Sequence, residues 1–307
     1  MILSPWFFRR SPENSGFDRL EVRLQIKLFT LLFLRTPSSV WSISTAYSYL
    51  LREYSPEASI FWSGDLFDPV REYSRYKDFD LLLCLTPPAF DKVPDSFAGK
   101  KMHFNMCCDL SIFQACSTKK PLNSLIIALQ EKPKSSPIAG YVGTLSDRRI
   151  DYSMLTSVVE QLPRITFVLV GKGDETSSTY ARMNEIRKYQ NVHIIEDLDY
   201  SEMPTVIRAF SICIVPYRLN DANLGTCPNK FIEYCAIGKP IVSTPLPGLT
   251  KFPGLAFFAE SANEFARNLA THADNFDDVI VQHQQKLAKE STAENFLKRF
   301  EKAICSN

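Results

Sequence analysis

The chain has 307 residues, 45% of them hydrophobic and 12% aromatic, enough for the core of one large domain or two ordinary ones. Lysine and arginine (35) balance aspartate and glutamate (34), so there is no basic footprint for nucleic acid. The eight cysteines, Cys84, Cys107, Cys108, Cys116, Cys213, Cys227, Cys235 and Cys305, form no Cys-x-x-Cys pair and several sit in apolar runs. They read as reduced, packed thiols rather than disulfides or a zinc site, which predicts a cytoplasmic protein.

The chain opens on "MILSPWFF" and then "RRSPENSG", where a strand running into a glycine-rich turn would be usual for a two-domain α/β protein. The apolar stretch "LQIKLFTLLFL" is shorter than the ~20 residues of a membrane span and is interrupted by Gln25, Lys27 and Thr30. Phe17, Leu20, Leu24, Leu28 and Leu31 share one helical stripe while Arg19, Arg23 and Lys27 share another, so an amphipathic helix is predicted. Its apolar face is expected to meet a core; the alternative is a helix lying on the inner face of a membrane, which the aromatics and arginines of "SPWFFRR" would suit. Acidic residues ahead of the run and its late start argue against a signal peptide. Beyond it, "SVWSI", "SIFWS", "DLLLCL" and "KMHFN" read as strands separated by helices. Residues 1–134 are therefore predicted to be a short, or incomplete, Rossmann-like domain.

The Lys, Pro and Ser cluster "QEKPKSSPIAG" at 130–140 marks the predicted domain boundary. After it the pattern alternates regularly: strand "IAGYVG", a helix carrying Leu155, Val158, Val159 and Leu162, strand "ITFVLVG", a polar helix near 176–189, and strand "NVHII". A short helix from Ser201 to Arg208, strand "SICIVPY", a helix opening at Pro228, and strand "PIVST" follow. Continuous apolar strands between amphipathic helices predict a doubly wound parallel sheet in a second Rossmann-like domain, 135–274. Residues 275–307 read as helices anchored by Leu287, Phe296, Phe300 and Ile304, the last of which could return to the first domain.

In open α/β sheets ligands bind beyond the carboxyl ends of the strands, where helix N-termini present free N–H groups. Three turns in the second domain are chemically loaded: "GTLSDRR" with Gly143, Arg148 and Arg149; "GKGDE" with Gly171 and Lys172; and "GTCPNKFIEYCAIGKP" with Lys230 and Glu233. In the last, Thr226 or Cys227 is expected at the helix cap, Pro228 at the first helical position, and Gly238 in the left-handed turn that ends the helix. A lysine at a helix N-terminus adds charge for a diphosphate, and a carboxylate one turn on can accept two hydrogen bonds from a ribose diol. The plain alternative is an exposed ion pair between Lys230 and Glu233 at i, i+3.

"PNKFIEYCAIGKPIVSTPLPG", preceded by "DYSEMP" and "SICIVPYRLN", resembles the nucleotide-sugar-binding domain of GT-B glycosyltransferases of the family 4-like group. "GYVGTLSDRRIDYSML" and "FVLVGKGDE" are similar to that domain's first two strands and turns, so the resemblance covers about 137–260 well, the first half only in outline. It implies two Rossmann-like domains facing a cleft, and transfer of a hexosyl group from a nucleotide-diphosphate sugar of UDP or GDP type to a glycan or lipid-linked saccharide. Polysaccharide biosynthesis is the implied setting, with no metal required and peripheral membrane contact through the N-terminal domain as an expectation. Residue by residue, it implies that Lys230 and Arg149 contact the diphosphate, that Glu233 holds the ribose, and that Gly143 lets the backbone approach; Thr144, Gly171, Lys172, Tyr217 and Pro228 complete the expected donor site. Two positions depart from the pattern: Gly225 stands where the group has a sugar-contacting Glu, and Thr144 where it has an Arg.

Lys230 and Arg149 are the expected stabilisers of the leaving diphosphate, and an inverting enzyme would also need a carboxylate base, for which Asp65 is the first candidate and Asp109 the second. "DFD" at 78–80 precedes its strand rather than ending one, unlike a metal-binding Asp-x-Asp motif. "GKG" lacks the Gly-Lys-Ser/Thr of a P-loop, His103 and His193 have no partner at metal spacing, and "MCCD" has no evident base beside it. The rival readings are a nucleotide-sugar epimerase or hydrolase of the same fold and a relative that binds donor without turnover.

Overall fold

The computed structural model describes residues 39–42, 56–63, 68–104, 106–114, 137–196, 198–273 and 277–305. The predicted helix at 17–31, the candidate base Asp65 and most of the 130–140 break lie outside them. Contacts divide the chain into two units: residues up to Cys84 with Ala89–His103, and Leu85–Pro88 with Phe104 to the C-terminus.

The first unit carries four strands, β1 (Ser39–Ser42), β2 (Ala58–Trp62), β3 (Leu81–Cys84) and β4 (Lys100–His103), all parallel in the order β1-β2-β3-β4. β3 is buried at every position, and Phe61, Tyr76, Phe79, Val93 and Phe97 pack with it into one core. Asp80 of "DFD" accepts from the Ser59 amide (2.8 Å) and hydroxyl (2.6 Å), so it ties β3 to β2.

The second unit holds a six-stranded parallel sheet: β5 (Ile138–Val142), β6 (Thr166–Val170), β7 (Val192–Ile195), β8 (Ile212–Val215), β9 (Ile241–Ser243) and β10 (Phe257–Phe258). Its order, β7-β6-β5-β8-β9-β10, reverses direction between β5 and β8, which makes that crevice the topological switch point. β5, β6, β8 and β9 are buried throughout because helices cover both faces, as their unbroken apolar runs require.

The longer helices are α1 (Tyr152–Gln161), α2 (Ser177–Ile186), α3 (Met203–Ala209), α4 (Asn229–Ile237), α5 (Ala262–His272), α6 (Asp278–Glu290) and α7 (Ala293–Cys305). Asp151, Thr176, Ser261 and Asp277 cap α1, α2, α5 and α6 by accepting a backbone N–H from the first turn. α4 ends as expected at Gly238, whose φ of 76° no β-carbon favours. Its start differs from expectation: Pro228, with ψ of 126°, is the cap itself, and the first helical residue is Asn229. Its carbonyl accepts the first bond, from the Phe231 amide at 3.0 Å, but its own extended ψ leaves Asn229 as the first residue inside the helix.

Lys239, in the "GKP" that follows, donates to the carbonyls of Arg208 (2.8 Å) and Phe210 (2.5 Å) and so closes the end of α3. Phe296 of α7 meets Phe104 edge-on at 4.7 Å, and Phe300 is buried. Cys84, Cys107, Cys108, Cys213, Cys227 and Cys235 are thiols rather than members of disulfides. Among the described residues no helix is long and apolar enough to cross a membrane.

Candidate functional site

Two glycines build the floor of the switch point. Gly143 follows β5 with φ of 137°, and Gly171 follows β6 with φ of 141°, a region that side chains strongly disfavour. A β-carbon on Gly171 would stand 2.0 Å from the Gly143 carbonyl oxygen, so the two turns are in backbone contact. The ladder continues through them: Gly143 donates to Val170, Gly171 to Ile195 and Leu145 to Lys172, each at 2.8 Å. Side chains around the turns hold them in place. Asp174 accepts from the hydroxyls of Ser146 and Thr176, and these bonds, with one from Thr179, hold its carboxyl down at about 2.

Lys230, in the first turn of α4, reaches back over this floor. A β-carbon on Gly143 would lie 2.8 Å from its Cε and Nζ. Its ammonium donates to the hydroxyls of Tyr217 (2.6 Å) and Tyr141 (3.3 Å) and sits 4.8 Å and 4.7 Å from their ring centres. Both tyrosines are almost fully buried. Burial works against ionisation of Tyr217, but the Lys230 charge and hydrogen bond outweigh it and bring the hydroxyl below the ordinary tyrosine value. Tyr141 moves the other way, pushed up by burial and then by Tyr217, and its hydroxyl donates to the Thr144 carbonyl (2.9 Å). Arg149 adjoins this cluster through the backbone: its carbonyl accepts from the Arg218 amide at 2.8 Å, and the next residue, Ile150, bridges to Tyr217.

The turn carrying Arg149 is anchored by Asn223, fully buried, whose Nδ2 donates to the carbonyls of Arg148, Arg149 and Arg218 at 3.3, 3.1 and 2.9 Å. Gly225, at the position of the missing Glu, caps the short helix Asp221–Leu224.

Glu233 is 8% exposed and makes no ion pair with Lys230; the exposed i, i+3 pair is replaced by a different arrangement. Its Oε1 accepts from the Tyr200 hydroxyl at 3.0 Å. Burial raises the Glu233 carboxyl above the usual range, opposed by that hydrogen bond and by Lys230. Beside these residues lies a cleft of about 720 Å³ lined by Gly143, Thr144, Gly171, Lys172, Gly173, Glu196, Leu198, Asp199 and Glu202.

The second unit thus gathers Gly143, Thr144, Gly171 and Lys172 around the cleft and brings Tyr217, Arg149 and Lys230 together beside Gly143, with Pro228 capping the helix that bears Lys230. Asp109 instead accepts from the amide (3.0 Å) and hydroxyl (2.6 Å) of Ser111 at a helix start. Sequence reasoning missed Tyr141, Tyr200 and Asn223. Tyr141 is hidden inside an apolar strand pattern, and nothing local marks the other two. His103 and His193 are half-buried strand residues, and among the described residues no group of three His, Cys, Asp or Glu side chains could hold a metal ion.

Comparison with known proteins places this arrangement. A family model described as "Glycosyl transferases group 1" matches residues 136–275. A Bacillus subtilis (strain 168) protein provisionally named teichuronic acid biosynthesis glycosyltransferase TuaH is 31% identical over 114 residues, which is 37% of this chain and only 28% of that protein. Among solved structures, Anabaena Alr3699/HepE in complex with UDP superposes with a TM-score of 0.71 at 11% identity, covering 94% of this chain and 82% of its own. An Escherichia coli trehalose-6-phosphate structure bound with UDP-2-fluoro glucose gives 0.72 at 12% identity over 92% and 77%. Sucrose-phosphate synthase from Thermosynechococcus elongatus gives 0.68 at 16% identity over 94% and 78%. At such identities these structures establish the fold, which is the GT-B type with its parallel α/β sheets. Residues 136–275 thus match the group 1 glycosyl transferase model, on a chain whose fold is of the GT-B type.

Proposed function

We propose that the protein transfers a sugar from a nucleotide-diphosphate sugar, of UDP or GDP type, to a glycan or lipid-linked saccharide. The observation that carries this reading is the Lys230 ammonium held against Gly143 at the switch point of the second sheet. There a diphosphate would meet the glycine turns after β5 and β6 and the N-terminus of α4, where no side chain hydrogen-bonds to the first-turn amides. UDP in the HepE structure and a UDP sugar in the Escherichia coli one support this ligand class, and the teichuronic acid assignment of TuaH supports a cell-surface polysaccharide as product.

When the bond from the anomeric carbon to the diphosphate oxygen breaks, negative charge grows on the departing diphosphate. Lys230 and Arg149 would stabilise that charge from fixed positions, without solvent reorganisation. The acceptor hydroxyl forms the new bond and releases its proton; in an inverting reaction Asp65 is our candidate to take it. Glu233 would hold the ribose diol, and the cleft of about 720 Å³ would take the rest of the nucleoside.

Gly225 favours a second reading, a donor-binding relative without turnover, because the carboxylate expected on the transferred sugar is missing there. Measuring nucleoside diphosphate release from a panel of UDP and GDP sugars, with and without saccharide and lipid-linked saccharide acceptors, separates the readings. Acceptor-dependent release supports transfer. Binding with no release supports the second reading, and acceptor-free scrambling of sugar stereochemistry would point to an epimerase.

A further inference from the structure

We infer that Tyr200 is a positioning residue for the donor, its hydroxyl fixing the Glu233 carboxylate in the orientation that grips the ribose diol. This rests on the reading of Glu233 given above and adds a partner that no motif signals.

Glu233 sits on the second turn of α4 with 8% of its surface exposed, so its carboxylate needs a hydrogen-bond donor from the protein or the ligand. The Lys230 ammonium is committed to Tyr217 and Tyr141, and the donor that Glu233 does have is Tyr200, 3.0 Å from Oε1. Tyr200 lies in the turn Tyr200–Glu202 between Asp199 and Glu202, both of which line the cleft. The turn is itself fixed: the Asp199 side chain and the Glu202 side chain close a reciprocal capping box across it. The Tyr200 ring is half exposed but meets Phe113 edge-on at 6.0 Å, and the Phe113 carbonyl accepts from Arg208 at 2.5 Å. A rigid turn and an aromatic contact thus aim one phenol at one carboxylate oxygen.

A carboxylate offers about four lone-pair sites, so Tyr200 occupies one and leaves the others for the two hydroxyls of a vicinal diol. Without Tyr200, the Glu233 side chain is free to rotate about its terminal bonds, and diol binding must then order it.

The test is isothermal titration of the full chain with UDP and GDP and with their 2′,3′-dideoxy counterparts, for the wild type, Tyr200→Phe and Glu233→Gln, with melting curves to confirm folding. Tyr200→Phe should weaken the natural nucleotide about tenfold, the order expected for a hydrogen bond to a charged group, and leave the dideoxy ligand unchanged. An equal loss for both ligands would mean that Tyr200 only supports the fold near the cleft, and no loss for either would mean that it plays no part; each overturns the inference. Glu233→Gln failing to separate the two ligands, or no binding of UDP or GDP to the wild type, would overturn the donor-site reading itself.

Discussion

Lys230 Nζ lies 2.6 Å from the Tyr217 hydroxyl, inside a pocket where that tyrosine is 2% exposed. The ring holds the ammonium over Gly143, and the ammonium in turn favours the tyrosinate. Tyr217→Phe keeps the ring and removes the acceptor, so nucleoside diphosphate affinity should fall by about 2- to 10-fold, the range of one net hydrogen bond. Ultraviolet titration checks the electrostatics. One tyrosine should ionise below the ordinary tyrosine value in the wild type, and in Lys230→Met it should titrate later, because burial is then opposed only by the weaker effects of Tyr141 and Arg149.

The two turn glycines should fail in different ways. Gly171→Ala drives a β-carbon to 2.0 Å from a backbone oxygen at φ of 141°, and nothing there can yield cheaply. Urea unfolding should show a loss of at least about 2 kcal/mol. Gly143→Ala carries similar backbone strain, but its new β-carbon meets the flexible end of Lys230. Its larger effect should be on nucleotide affinity, measured by titration calorimetry at a temperature where the variant is folded.

Glu233 sits in the proposed donor site at a cost in stability. Its carboxyl is raised by burial, so the folded state is penalised wherever the group must ionise. The sign follows: below the unfolded value of 4.5 the carboxyl is neutral in both states and Glu233→Gln should melt with the wild type. As pH rises above it, the wild type bears the penalty of a buried charge and the variant should melt progressively higher. Melting temperatures across pH 4 to 8 test this, and the same variant should bind nucleotide more weakly.

Lys239 belongs to the same sequence motif as Lys230 yet serves the fold. Half-buried and bonded to two carbonyls at the end of α3, it should cost about 1–3 kcal/mol on replacement by Met. Nucleotide affinity should not change, which chemical denaturation and calorimetry on one variant can establish together.

The second sheet was legible because its strands are continuous apolar runs; β5, β6, β7, β8 and β9 fall within one or two residues of the predicted segments. β10, two residues long, has too little pattern to detect, and α5 was passed over although Ser261 and Glu264 mark its start. In the site, glycines and Lys230 announce themselves because few residue types can take positive φ or carry a charge at a helix start. Tyr141 could not be seen: an aromatic in a buried strand looks the same whether its hydroxyl is idle or receives an ammonium. The Glu233 contact depends on Tyr200, 33 residues away, and such a pairing exists only once the chain has folded.

The central claim is that Lys230 binds a nucleotide diphosphate at the switch point of the second unit, and titration of UDP and GDP into the wild type and Lys230→Ala tests it most directly. One nucleotide should bind the wild type, and its affinity should drop at least about tenfold in the variant, the loss expected when a charge-assisted contact to phosphate is removed. At 100 times its dissociation constant that ligand should also raise the wild-type melting temperature by about 2–4 °C. Equal affinity in the two proteins, or no binding of either nucleotide to the wild type, would contradict the account.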